Sequence, residues 1–175
     1  MPVSEAAKKV RMVILDVDGV LTDGGLYYDA DGNVSKRFSV QDGLGIKLAQ
    51  SVGIEFAVIT GLNSTAVEER AKGLGIRHYF SGHHRKIPIL EELRDRTGIG
   101  FSEMAYIGDD WVDAGPLSLV GLPVAVANAQ PEIREMAALV TSASGGNGAV
   151  REALRFILAA QGKLEALWAD WKGRP

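Results

Sequence analysis

The sequence predicts an α/β protein: a doubly wound, mainly parallel Rossmann-like sheet with a β-hairpin inserted after the first strand. Three observations carry this expectation. Short apolar runs alternate with stretches whose apolar residues recur at helical spacing. The runs are rich in branched residues and show no polar alternation, as strands covered on both faces should. One segment directly behind the first run has turn chemistry instead of helical periodicity.

Val13 to Leu15 forms the first strand, and it leads into "VILDVDGVLTDGG", which sets Asp16, Asp18 and Asp23 behind the apolar run. Next come Leu26-Tyr27-Tyr28, the turn residues Asp29 to Asn33, and Val34 to Val40, which together read as a hairpin. The acidic spacing there invites a calcium-loop reading. It fails, because Val34 stands where such a loop needs glycine and Val40 where it needs a bidentate glutamate. Ile46, Leu48, Ala49 and Val52 mark a helix, Phe56 to Ile59 a strand, and Ala66, Val67, Arg70, Ala71 and Leu74 a second helix. Ile87, Leu90, Leu93 and Arg94 mark a third helix, followed by strands at Met104 to Ile107 and Leu122 to Val126. A last helix begins near Gly148, with Val150, Leu154, Ile157 and Leu158 on one face, and the tail "KLEALWADWKGRP" spaces Leu164, Leu167, Trp168 and Trp171 helically. Strand-helix alternation implies right-handed crossovers in an open sheet. With no repeat, low-complexity tract or linker, residues 1–175 are expected to form one domain.

Composition narrows the function. A formal net charge of -3 argues against nucleic acid, which calls for a basic stripe. The absence of cysteine excludes disulfides and thiolate metal sites. The start, "MPVSEAAKKV", lacks the apolar core of a signal peptide, and no run approaches a membrane span. A cytoplasmic protein without membrane partner is the expectation.

In open α/β sheets the ligand crevice lies outside the carboxyl ends of the strands. Asp16 and Asp18 follow the first strand, Thr60-Gly61 the second, and Gly108-Asp109-Asp110 the third, with Asp113 one helical turn on. Lys86 opens the helix in "HHRKIPIL". Each feature alone has a bland reading: a turn, a surface charge, aspartates at a helix N-terminus. Together, in this order, they point to one crevice. Carboxylates so close repel, and burying them is unfavourable without a positive partner. All-oxygen ligation favours Mg²⁺, which keeps positions open for substrate phosphate. Thr60 can donate a hydrogen bond to a phosphoryl oxygen, and Lys86 can neutralise another. Phosphoryl transfer is the expected chemistry.

The segments "DVDGVLTD", "ITG", Lys86 and "GDDWVD" resemble the haloacid dehalogenase superfamily of aspartate-nucleophile phosphatases. "DGLGIKLAQSVGIEFAVITG", "GLPVAVANAQPEI", "GGNGAVREAL" and "LAAQGKLEAL" extend the resemblance to the hairpin-capped branch, the 3-deoxy-D-manno-octulosonate 8-phosphate phosphatases. That resemblance implies Asp16 as nucleophile and Asp18 as acid, then base. It implies Mg²⁺ held by the Asp16 carboxylate, the Asp18 backbone carbonyl and the Asp109 carboxylate. Asp110 and Asp113 would support that shell or orient Lys86, and Gly61, Asp42 and Gly43 would touch substrate. It further implies a homotetramer and a role in lipopolysaccharide precursor synthesis.

Gln41, Leu62 and Asn147 stand where arginines are usual in the octulosonate branch, so a nonulosonate (sialic-acid-like) 9-phosphate stays open as substrate. Two other classes fit the sequence less well. A signalling receiver domain pairs adjacent acids after the first strand, whereas here the alternating pair comes first and the adjacent pair late. A silent oligomerisation domain of the same fold has no use for an intact Asp16, Asp18, Thr60, Lys86 and Asp109.

Overall fold

A computed structural model describes residues 2–174. A six-stranded sheet is built from β1 (Met12–Leu15), β4 (Glu55–Ile59), β5 (His78–Phe80), β6 (Met104–Gly108), β7 (Leu122–Ala125) and β8 (Leu139–Val140). Its order is β5-β4-β1-β6-β7-β8, and every pairing is parallel. After β1 the chain winds outward through β4 and β5, then returns to the other side of β1 for β6, β7 and β8. The strand order therefore reverses at β1, and a crevice opens there at the carboxyl ends. Leu15 pairs with Val58 on one side and Ile107 on the other. The residues that follow these three strands thus meet at one place.

The four strands read from sequence form where expected. β1 and β6 are buried along their whole length, which explains their unbroken apolar sequence. The edge strands β5 and β8 escaped the sequence reading. They are short and none of their residues is fully buried, so their apolar signal is weak.

The helices are α1 (Val3–Lys8), α2 (Val40–Ser51), α3 (Thr65–Leu74), α4 (Ile87–Thr97), α5 (Ala114–Leu119), α6 (Pro131–Met136), α7 (Ala149–Ala160) and α8 (Leu164–Lys172). The short α1, α5 and α6 show too little periodicity to be read in advance. α4 is the third predicted helix. It starts with Pro88 in its first turn and stops at Gly98, whose φ of 68° closes the last turn in the left-handed region. α7 buries Val150, Ala153, Leu154, Ile157 and Leu158 in the core and packs along α2.

The hairpin is β2 (Tyr27–Tyr28) paired antiparallel with β3 (Val34–Ser35). Its tip is held by Asp29, whose carboxylate accepts from the Asn33 and Asp31 backbone amides at 2.8 and 2.9 Å. The second arm is shorter than the sequence reading, which carried it to Val40. Ser39 instead caps α2, its Oγ accepting from Asp42 N at 3.3 Å, so Val40 begins the helix.

The tail forms α8, with Leu164 and Leu167 packed against the chain's own core. Trp168 and Trp171 stay outside, lining a groove of about 510 Å³ against Leu44, Leu48, Arg151 and Arg155. No helix among the described residues is long and apolar enough to cross a membrane.

Candidate active site

β1 delivers Asp16 into the crevice, where its carboxylate is almost fully buried. The turn behind it is set by burial of Val17 and Val20 and by Gly19, whose φ is 88°. A side chain at Gly19 would be strained by that φ, and its Cβ would run into the Asp109 carboxylate. The glycine in "DVDG" therefore lets the turn close on β6. Asn128 clamps the turn from the far side: its Nδ2 donates to Gly19 O at 3.0 Å, and its Oδ1 accepts from Gly145 N at 2.7 Å.

Lys86, at the start of α4, is buried with its ammonium between two carboxylates, 2.7 Å from Asp16 Oδ1 and 2.7 Å from Asp113 Oδ1. Burial alone would lower its pKa, but Asp16 and Asp113 outweigh that and the net shift is upward, so it stays charged. Asp113 is fully buried and fully used. Its Oδ1 also accepts from the Tyr106 hydroxyl at 2.7 Å, and its Oδ2 from the Asp109 and Asp110 amides at 3.0 and 3.4 Å. Gly108 makes this possible, since a Cβ there would stand 2.6 Å from that of Asp113.

Asp16, Asp109 and Asp113 offer oxygens within 4.8 Å of one another. Because Lys86, Tyr106 and two amides already occupy Asp113, the available carboxylates are Asp16 and Asp109. Asp109 Oδ1 is buried and, among the described residues, has no hydrogen-bond partner. Desolvation, followed by the nearby carboxylates, pushes Asp16 up to about 6 and Asp109 up to about 8, although Lys86 pulls Asp16 the other way. When all three carboxylates ionise, one ammonium leaves two negative charges uncompensated. An orphaned buried oxygen, an all-oxygen donor set and a deficit of two charges fit a hard divalent cation.

Asp18 lies beside this cluster, partly exposed, and its carboxylate pairs with Lys36 from the hairpin. Thr60 directly follows β4, buried and with its amide tied to Phe80 O at 2.9 Å. Gly61 packs so close to His84 that a Cβ would come within 2.8 Å of its ring. The structure thus joins Asp16, Lys86, Asp109 and Asp113 in one cluster, with Asp18 on the turn that follows Asp16 and Thr60 and Gly61 behind β4, the strand paired with β1.

Four further residues of these segments have partners within the fold. Asp42 is buried, and its carboxylate accepts from Arg151 N at 2.7 Å and Gly148 N at 3.3 Å, joining the starts of α2 and α7. Gly43 beside it packs under the Arg70 guanidinium. Both are thus engaged within the fold, where the resemblance implied contact with substrate. Asp110 caps the short turn at Trp111–Asp113, accepting from Trp111 N at 2.7 Å, and does not touch Lys86. Asp23 faces the hairpin, accepting from the Tyr27 hydroxyl at 2.6 Å. Sequence reasoning missed Tyr106, which reads as one more core aromatic, and Lys36 and Asn128, which carry no local signal.

The haloacid dehalogenase-like hydrolase model matches residues 80–154. The 3-deoxy-D-manno-octulosonate 8-phosphate phosphatase KdsC of Escherichia coli is 44% identical over 159 residues, covering 91% of this chain and 85% of that protein. A probable YrbI family phosphatase from Pseudomonas syringae superposes with a TM-score of 0.97 at 42% identity, covering 99% of both chains. The 3-deoxy-D-manno-octulosonate 8-phosphate phosphatase of Moraxella catarrhalis, solved with a magnesium ion, a phosphate ion and a KDO molecule, superposes at 0.94 with 40% identity over 97% of both. Likeness of this extent, in sequence and in fold together, places the chain in the haloacid dehalogenase-like hydrolases, in the family of the 3-deoxy-D-manno-octulosonate 8-phosphate phosphatases.

Proposed function

We propose that this chain is a magnesium-dependent phosphatase acting as a single domain, residues 1–175, on 3-deoxy-D-manno-octulosonate 8-phosphate in lipopolysaccharide precursor synthesis. The observation that carries this reading is the buried Asp16–Lys86–Asp113 bridge beside the orphaned Asp109 Oδ1. An Asp16 oxygen bonds to phosphorus while the bond from phosphorus to the sugar oxygen breaks, and Asp18 gives that oxygen its proton. Asp18 then takes a proton from water, whose oxygen attacks the aspartyl-phosphate, releasing phosphate and restoring Asp16. Thr60 donates to one phosphoryl oxygen, Lys86 neutralises another, and Gly61 lets the chain pass close to the phosphate. The Asp16 and Asp109 carboxylates and the Asp18 carbonyl would hold Mg²⁺, which when bound offsets the negative charge of the phosphoryl group.

Turnover of a sugar-phosphate panel tests the substrate. We expect kcat/KM for octulosonate 8-phosphate to exceed that for nonulosonate 9-phosphates by about tenfold or more, ~1.4 kcal/mol of transition-state discrimination. The reverse order would transfer the assignment to the nonulosonate reading that Gln41, Leu62 and Asn147 leave open. No turnover of any phosphate, p-nitrophenyl phosphate included, would leave the silent-domain reading. An anionic substrate fits the guanidinium of Arg37, which sits on Asn147 Oδ1 and Gly146 O, both at 3.0 Å.

The same reading makes the protein a cytoplasmic homotetramer. Leu26, Tyr27, Tyr28 and Val34 put an apolar, aromatic surface on the hairpin, and Trp168 adds another on α8. Light scattering should give a tetramer. A chain ending at Gly162 should stay folded, because α8 fully buries none of its residues and Leu164 and Leu167 only border the core, while its KM for the sugar phosphate changes. A fully active monomer at micromolar concentration would refute the assembly.

A further inference from the structure

The hairpin does more than cap the sheet. Its returning arm carries Lys36 to the Asp18 carboxylate, an ion pair between residues 18 apart in sequence. The Lys36 side chain is only 3% exposed, although Arg37 next to it is 54% exposed. A lysine on a two-stranded hairpin ordinarily runs its stem along the surface and keeps its ammonium in water. Here the ammonium is withdrawn from water, and that is tolerable only against a matched charge.

Among the described residues, no other donor hydrogen-bonds the Asp18 carboxylate. The contrast with Asp113, held by four donors, is plain. A carboxylate with one partner takes its orientation from that partner, and the partner here is itself fixed. Phe38, two residues on, bridges to Thr22. Thr22 is buried, with its Oγ bonded to Val17 O at 3.3 Å and to Gly24 N at 3.2 Å. On either side, Tyr27 donates to Asp23 at 2.6 Å and Arg37 to Gly146 O at 3.0 Å. The backbone that bears Lys36 is thereby tied to the turn that bears Asp18.

We propose that Lys36 is the positioning residue for Asp18: it holds the carboxyl group facing the departing sugar oxygen, to which Asp18 gives the proton that it later regains from the attacking water, and so sets how well the enzyme expels a poor leaving group. Two lysines then divide the site, Lys86 serving the nucleophile and Lys36 the acid. The inference rests on the reading of Asp18 as the acid, and the experiment separates the two.

The test compares kcat/KM for octulosonate 8-phosphate, whose alkoxide needs a proton, and for p-nitrophenyl phosphate, whose phenolate leaves without one. This constant covers the steps up to loss of the leaving group. The proteins are wild type, Lys36→Met, Lys36→Arg and Asp18→Asn, each with its melting temperature. We expect Lys36→Met to lose about tenfold or more on the sugar phosphate beyond its loss on the aryl phosphate. Lys36→Arg, which keeps a charged donor, should recover part of that difference. Equal losses on both substrates, or none, would overturn the proposal. If Lys36→Met does not fold, Lys36→Gln carries the same comparison. Should Asp18→Asn itself lose equally on both, the acid assignment fails and takes this inference with it. A split in Asp18→Asn without one in the Lys36 variants overturns only the role of Lys36.

Discussion

Asp16→Asn yields a folded protein whose turnover falls more than about a thousandfold, at least ~4 kcal/mol of lost transition-state stabilisation. An amide of the same shape has no anionic oxygen to attack phosphorus, so the covalent route closes entirely. Stability should survive. The amide oxygen still accepts from the Lys86 ammonium, which now stands 2.7 Å from Asp16 Oδ1 and keeps its partner Asp113 at the same distance. The change also removes a charge that repels Asp109 and Asp113. Steady-state assays on a tag-purified variant, with thermal melts and acid-quench trapping of labelled phosphate, check both halves. More than a few per cent of wild-type rate, or a trapped phosphoenzyme, would require another nucleophile.

Chelation should be as severe. EDTA should bring activity to background, Mg²⁺ should restore it, and Ca²⁺ should not, since its larger and looser oxygen shell misplaces the nucleophile. A melting experiment gives a second readout independent of turnover. In the folded chain burial first, and then a neighbouring carboxylate (Asp113 for Asp16, Asp16 for Asp109), push Asp16 up to about 6 and Asp109 up to about 8 from 3.8. For a carboxyl raised in the folded state, the associated stability is full below the unfolded value and is lost as pH climbs through the folded one. The metal-free protein therefore weakens from about pH 4 to about pH 8 as these groups are forced to ionise. A cation competes with the protons for the same oxygens, so its affinity rises over that window. Mg²⁺ should raise the melting temperature more at pH 8 than at pH 5. Equal shifts at the two pH values, or full activity without metal, would remove the cation from Asp16 and Asp109.

The proposed chemistry also clarifies why four charged groups tolerate burial together. Removing Lys86 would leave Asp16 and Asp113 facing each other without a counter-ion, the costly half of a buried pair. The Tyr106 hydroxyl, fully buried and pushed well above its ordinary pKa first by that burial and then by Asp113, remains a donor at any working pH. It supports Asp113, which in turn orients Lys86.

By itself the sequence determined the strands β1, β4, β6 and β7, the hairpin, and the segments that carry Asp16, Asp18, Thr60, Lys86 and Asp109. Each of these leaves a short-range mark: a branched apolar run, a helical period, turn residues, or a carboxylate where an apolar run ends. Side-chain partners leave no such mark, because they are chosen across the fold. "GDDWVD" did not say that Asp113 would take the Lys86 ammonium while Asp110 capped a turn. Asp42, in "VQDG", could face a ligand or a helix N-terminus with equal ease, and the approach of α7 to α2 decided for the helix. The reversal of strand order at β1, which brings three loops to one crevice, is likewise a property of the assembled sheet. So is the hairpin's return over the "DVDG" turn, which alone brings Lys36 to Asp18.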